Sequence, residues 1–493
     1  MLIFISFFII ENGGNIFWGN LMTVASLIRS LQRGITLLVL LGIFLLTGCK
    51  GDDIEKLASQ YASGPHQPPH YFSGNDGTTG YELFRTDGTA AGTYLLKDIC
   101  PGICDSNPDH YEFLQLGPIM YFPANGGTGY ELWKTDGTPS GTFIVKDINP
   151  GAGSAGPSNM RFYNGVLYFS ALDPAIGREL WRSDGTPGGT FLVKDIFPGA
   201  TSSYPGTLHA GLGKLFFSAE GTAGNQELWV SDGTPGGTVQ LLEINPSGGA
   251  NPGDFHNHLG LVYFSADNGV SGSELWRSDG TPGGTFMVKD INNGAGVSFP
   301  QNFTSFGGLL LFNATDGING SEIWRSDGTP GGTFMVQDIN PGGAGSNPYN
   351  LTPFNGQVYF SGWNATSGQE LWRTDGTPGG TMLVKDINPG ASHSSPNWLT
   401  VLGDTLVFLA WDGSGPILYR SNGTNPGTVP LATFPNINSL FWHHKIGNRL
   451  YFHGDDVATG QEPWVTDGTA AGSHLIVDLW PGASPNNGYV YEY

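Results

Sequence analysis

The sequence predicts an all-β fold, a single closed β-propeller of four-stranded antiparallel blades. Three observations carry the prediction. A block typified by RELWRSDGTPGGTFLVKDI, residues 178–196, recurs nine times, with starts at Glu82, Glu131, Glu179, Glu227, Glu274, Glu322, Glu370, Ile417 and Glu462. Those starts lie 45 to 49 residues apart, a period that signals a tandem-repeat architecture. Within one period, short apolar runs alternate with turn residues and no window has helical spacing. The two ends of the repeat region are also complementary. The first copy lacks a strand before Tyr71-Phe72, while the last has a spare one at residues 488–493. A C-terminal strand completing the first blade would close the ring and remove exposed sheet edges.

Residues 158–200 show the elements of one unit. Met160 to Tyr163 is a short first strand, and Asn164-Gly165 between apolar runs is a hairpin signal. Val166 to Ala171, aromatic and β-branched, is the second strand, and Asp173 to Gly177 is a turn. Glu179 to Ser183 is the third strand, DGTPGG the next turn and Thr190 to Ile196 the fourth strand, ended by Pro198-Gly199. Nine copies predict nine blades. An eight-bladed ring with the degenerate copy displaced or merged is the alternative, and an open solenoid would leave the spare strand unexplained and require capping units.

Ahead of the repeats, Arg29 and Arg33 precede an apolar run, Ile35 to Leu46, that ends in Leu46-Thr47-Gly48-Cys49. A basic segment, about a dozen apolar residues and a small-residue cleavage site describe a secretory signal peptide, and the run is short for a membrane span of roughly 20 residues. The tetrad resembles the bacterial lipobox, which implies that Cys49 is lipidated and becomes the mature N-terminus. Residues 1–21 read as an upstream extension with Met22 as the start, 22–48 as the signal peptide and 49–69 as a flexible tether. Residues 70–493 form the propeller. Lys50 after the cysteine points to the outer membrane by analogy with enteric bacteria. Cys100 and Cys104 are the remaining cysteines. In an oxidising envelope compartment a local disulfide is the default, with free thiols or a metal site as the alternatives.

The blocks ELWKTDGT at 131, ELWRSDGT at 179 and 274, and ELWRTDGT at 370 resemble the bacterial ELWxxDGT-repeat family. The resemblance covers residues from about 70 to the C-terminus. It implies a secreted or surface protein and brings no established activity with it.

Each repeat column has a structural reading. Glu131, Glu179 and Glu274, once buried in a strand, require hydrogen bonds or a charged partner. Trp133, Trp181 and Trp276 suit packing between blades. Asp136, Asp184 and Asp279 can accept from amides two or three residues on, and Asp147, Asp195 and Asp290 can brace the following Pro-Gly turn or its equivalent. The competing reading is a calcium site, since calcium takes six to eight oxygens. Asp147-Ile148-Asn149-Pro150-Gly151 lacks the later acids of a calcium loop, and Ile417, Asn422 and Thr433 replace all three acids in the eighth copy.

The formal net charge of −21 is largely built into the module and argues against nucleic-acid binding, which needs clustered Lys and Arg. A catalytic site should break the repeat. The candidates are His256, His258, His443, His444 and His453, readable as ligands or general bases, or as satisfied loop residues. No nucleophile elbow, zinc-protease motif or phosphate loop is present. The expectation is therefore a monomeric envelope lipoprotein that binds a protein or a glycan, with no catalytic residue and no cofactor assigned. A polysaccharide-acting hydrolase or lyase using paired carboxylates, and a purely structural envelope component, are the alternatives.

Overall fold

A computed structural model describes residues 69–109, 112–431, 437–456 and 459–481. The strands, β1 (His70–Asn75) to β35 (His474–Leu475), gather into nine antiparallel sheets, the blades of a nine-bladed propeller. Blades 2 to 9 each have four strands, and blade 1 shows three among the described residues. Tyr71 faces Arg85 as Tyr121 faces Lys134, so β1 is the counterpart of a second strand. The segment 488–493, expected to supply the missing first strand, lies outside the described residues, as do Cys49 and the N-terminal segments. Nine separate blades replace the eight-bladed alternative, with the degenerate copy forming blade 8.

Blade 3 shows how the sequence makes one unit. Its strands are β8 (Ser158–Tyr163), β9 (Val166–Asp173), β10 (Gly177–Ser183) and β11 (Phe191–Lys194). The fourth strand is shorter than the sequence suggests, for two reasons. At its start, the Thr190 hydroxyl turns back onto the Thr186 carbonyl and the Ser183 hydroxyl. At its end, the Ile196 amide leaves the ladder and donates to Glu179 Oε2 at 2.8 Å. The tight turn between β10 and β11 needs glycine, because a Cβ at Gly189 would collide with the Asp184 carboxylate.

Glu179 holds more than its own strand. It is fully buried and also accepts the Ser203 amide on Oε1 (2.9 Å) and the Ser203 hydroxyl on Oε2 (2.6 Å). Ser203 sits in the link to blade 4, and its carbonyl accepts the Glu220 amide at the end of that blade's second strand. One carboxylate thus ties strand end, link and next blade. Glu131 and Glu274 repeat the arrangement through Ile148 and Ala155, and through Ile291 and Ser298. Burial pushes both carboxyls up to about 7, while the donors pull them back.

Apolar cores form between blades. Leu132, Val145 and Ile148 of blade 2 pack with Leu167, Phe169 and Trp181 of blade 3. The cluster on the far side of blade 9 is smaller, with Tyr451, Val465 and Ile476 as its buried members among the described residues. Across that seam His70 of blade 1 stacks on Tyr451 (5.0 Å) and His444 (5.7 Å), and Phe72 meets His453 edge-on (5.4 Å). These contacts between the first and last blades close the ring.

His70 stands where the other blades carry Met120, Leu167, Leu215, Val262, Leu310, Val358, Leu406 and Leu450. His453 stands where five blades carry serine, Ser170 among them. Burial holds both imidazoles below their ordinary range, His453 at about 4.

Two predictions follow from the packing. Glu179→Ala orphans the buried Ile196 amide and leaves the Ser203 amide and hydroxyl only the Arg178 carbonyl, at 3.1 and 3.4 Å. Denaturant unfolding should therefore show a loss of about 1–3 kcal/mol, the cost of an unsatisfied buried group. A loss no larger than that of an exposed substitution would refute the glutamate's role. At the seam, the unfolded chain takes up protons below pH 6.5 that folded His453 refuses until about pH 4 and that burial also keeps from His70, so both residues weaken the fold as pH falls below 6.5. The double variant His70→Leu, His453→Ser should therefore gain melting temperature over wild type at pH 4.5 by more than at pH 7.5. Equal differences at the two pH values would contradict this.

Candidate functional site in the channel wall

The repeat carboxylates are absorbed by the blades. Asp184 is exposed and accepts the Thr186 amide (2.9 Å) and hydroxyl (2.7 Å). Asp136 and Asp279 do the same with Thr138 and Thr281, and these donors hold Asp184 and Asp279 below the usual carboxylate range. Asp195 and Asp290 accept the Gly199 and Gly294 amides at 3.3 Å, and Asp147 is exposed. Trp133, Trp181 and Trp276 are buried between blades. Lys146 lies 5.8 Å from the Trp181 ring while its ammonium donates to the Thr190 carbonyl of the next blade. Lys134 likewise donates to the Gly185 carbonyl. Cys100 and Cys104 are joined by a disulfide, Cα atoms 5.4 Å apart. Among the described residues no group of three or more His, Cys, Asp or Glu is placed to hold a metal ion.

What the module does not use gathers on the innermost strands. The first strands of blades 3 to 7 are β8, β12 (Gly206–Gly211), β16 (Gly253–His258), β20 (Gln301–Phe306) and β24 (Tyr349–Phe354). That of blade 8 is β28 (Asn397–Leu402). Successive first strands touch one another, as only strands lining a central channel can. In each, one extra residue bulges out of register with the second strand, and bulges re-aim side chains. The bulged residues are Asn159, Thr207, Asp254, Asn302, Asn350 and Trp398, all with φ between 49° and 59°. Glu112 holds the same repeat position in blade 2. The repeat sets these seven side chains at one level of the channel, and there the chemistry changes from blade to blade.

Neighbours in this ring are linked. Glu112 accepts the Asn159 amide (2.7 Å) on one oxygen and the Met160 amide (2.9 Å) on the other, and Asn159 Oδ1 accepts the Thr207 amide at 3.1 Å. One level along, the strands carry Arg161, His209 and His256. Arg161 Nε donates to the Leu208 carbonyl at 3.1 Å. Glu112, Arg161, His209 and Asp254 border a cavity of about 350 Å³ that opens to the channel, with Leu208 and Phe255 among its apolar members. Desolvation pushes the Glu112 and Asp254 carboxyls up and holds His209 below its ordinary value, so the imidazole is neutral at pH 7. The His209 ring stacks on Phe255 with centroids 6.1 Å apart.

Of the histidines singled out by sequence, His256 and His258 reach this wall. Both approach one hydroxyl, Ser305 Oγ, from Nε2 at 2.9 Å and Nδ1 at 3.0 Å respectively. His443 stacks on Trp398 (4.8 Å), and His444 and His453 belong to the seam. Glu112, Arg161, His209, Asp254 and Ser305 were missed by motif reasoning. Their signal is a stretch of the first strand whose residue types vary from blade to blade around one apolar column, Met160, Leu208, Phe255, Phe303, Leu351 and Leu399.

No family model and no curated protein matches the chain. Among solved structures it is similar to a puromycin hydrolase at 15% identity and TM-score 0.39, over 65% of this chain and 53% of that one. A prolyl endopeptidase aligns at 13% identity and TM-score 0.41, over 65% of this chain and 49% of that one. A Mycobacterium tuberculosis puromycin-hydrolyzing peptidase aligns at 13% and 0.36, over 67% and 54%. The chain spans about half the length of these proteins, and a likeness this loose carries nothing about what it binds.

Proposed function

We propose that this chain is an envelope lipoprotein of the ELWxxDGT-repeat kind, anchored through Cys49. Its propeller works as a monomeric interaction scaffold whose binding face is the channel wall of blades 2 to 6. One observation carries the reading. The charged residues of the repeat are spent on turns, links and blade-to-blade clamps, whereas the polar side chains that break the repeat converge on one stretch of wall around a cavity. Fold alone does not supply function, and a propeller hosts many. The argument therefore rests on that wall, and the N-terminal signal supplies the location.

A second reading has its own support. Two carboxyls, Glu112 and Asp254, are pushed up by desolvation in a cavity that also holds a neutral imidazole, and perturbed titratable groups in a cleft are what acid–base catalysis uses. On that reading the chain is a polysaccharide hydrolase or lyase.

Pull-down from envelope extracts with the wild-type chain and with a Glu112→Gln, Asp254→Asn variant addresses both. The scaffold reading expects a component retained by wild type and lost from the variant, without turnover. It fails if wild type retains nothing that the variant loses. Polysaccharide cleavage by wild type, abolished in the variant, would replace it with the enzymatic reading.

A further inference from the structure

We infer that the cavity bordered by Glu112, Arg161, His209 and Asp254 is a subsite for a neutral saccharide, an inference that rests on the scaffold reading. At about 350 Å³ it falls at the small end of ligand sites, which run roughly 300–1,000 Å³.

The ligand class follows from what the wall offers. Asp254 is acceptor-only when ionised, and Arg161, with Nε already committed to the Leu208 carbonyl, offers only donors. The Thr207 hydroxyl already donates to the Pro252 carbonyl at 3.5 Å and keeps acceptor capacity for a ligand. An anionic ligand drawn to Arg161 would meet two carboxyls. A cationic one drawn to Asp254 would meet the guanidinium. An apolar side chain would leave both charged groups unpaired, which is costly. A hydroxyl donates and accepts at once, so neighbouring hydroxyls on one ring can satisfy the carboxylate and the guanidinium side by side. Phe255, only partly buried, supplies apolar surface for the C–H face of a pyranose. Asn159 is held by the Thr207 amide, so the wall is organised before a ligand arrives, which lowers the ordering cost of binding.

The repeat itself supplies test variants that should fold. Asn occupies the Asp254 position in blades 3, 6 and 7, as Asn159, Asn302 and Asn350, all with φ above 50°. Thr occupies the Arg161 position in blades 6 to 8, as Thr304, Thr352 and Thr400. Asp254→Asn and Arg161→Thr therefore place residues that the same backbone already accepts, and an unchanged melting temperature verifies folding.

The full chain, purified in detergent, is titrated calorimetrically with a panel of neutral hexoses and N-acetylhexosamines as oligosaccharides, with an oligogalacturonate and with an oligolysine. At least one neutral oligosaccharide should bind saturably, and each variant should weaken it about 10-fold or more, the effect of removing a hydrogen bond to a charged group. The oligogalacturonate and the oligolysine should bind more weakly. The inference is overturned if no neutral oligosaccharide binds, if both folded variants bind it as well as wild type does, or if a charged oligomer is preferred. Should the sugars fail while an envelope protein is retained by wild type and lost from the Arg161→Thr chain, the saccharide assignment falls and the scaffold reading stands. Should neither be retained, both fall.

Discussion

The buried glutamate that opens each ELW block is the interaction on which the rest of the propeller depends. A blade by itself is a twisted four-stranded sheet, and nothing in a sheet fixes the angle to the next one. Glu179 does so by accepting from Ile196 at the end of its own blade and from Ser203 in the link. Ser203 in turn receives the amide of Glu220 from blade 4. Backbone amides buried at a link must find acceptors. A carboxylate with four lone-pair sites serves several at once, which one serine or asparagine side chain at this position would not. Blade 8 dispenses with the device, having Ile417 there instead.

That use of the acidic column also governs the charges around it. Because the glutamates are taken up by amides, the basic residues of the repeat are free to serve elsewhere. Arg85, Lys134 and Arg325 donate to turn carbonyls of the following blade, Gly137, Gly185 and Gly376. Lys146, Lys194 and Lys289 donate to Thr190, Thr238 and Thr333 in the same way. Blades 1 to 7 thus each grip the next through charged donors on neutral carbonyls. These bonds do not rely on pairing exposed opposite charges, which contributes little at a protein surface. The large negative charge is a by-product of the module, with the DGT aspartates spread over one face where each caps its own turn.

The fold was legible because it is written nine times. Turn residues at fixed offsets, alternation in the ELW strand and the hairpin at Asn164-Gly165 all point to the same strand order, and the ladders follow it. Strand ends were harder to place. Ile196 looks like a strand residue by type, yet its amide is captured by a side chain 17 positions back, a non-local partner that no local pattern displays. The candidate site was hardest of all. Motif reasoning searches for constellations close in sequence, whereas Glu112, Arg161, His209 and Asp254 come from four blades. The bulge that turns Asn159 or Asp254 into the channel also leaves no compositional mark, since Asn, Thr, Asp and Trp all occupy it. His256 and His258 stood out only because two histidines fall in one short strand, and their shared partner Ser305 lies a whole repeat away.

Departures from the repeat are unevenly distributed, and their placement has a physical logic. Those that alter packing cluster in blades 8, 9 and 1, where Ile417 replaces the link glutamate, His70 replaces an aliphatic residue and the core beside Tyr451 is small. Those that alter the channel wall without touching the packing lie in blades 2 to 6, where the glutamates are intact and the lysine clamp is kept in blades 2, 3 and 5, with Leu242 and Gln337 in its place in blades 4 and 6. A cavity built from four separate strands keeps its geometry only if the angles between those strands are fixed, and the regular blades are where the module fixes them. The same economy explains why the site residues sit on the innermost strand. It is the one strand whose side chains point partly away from both neighbouring blades, so its residues can vary without reaching the packed interfaces that hold the ring together.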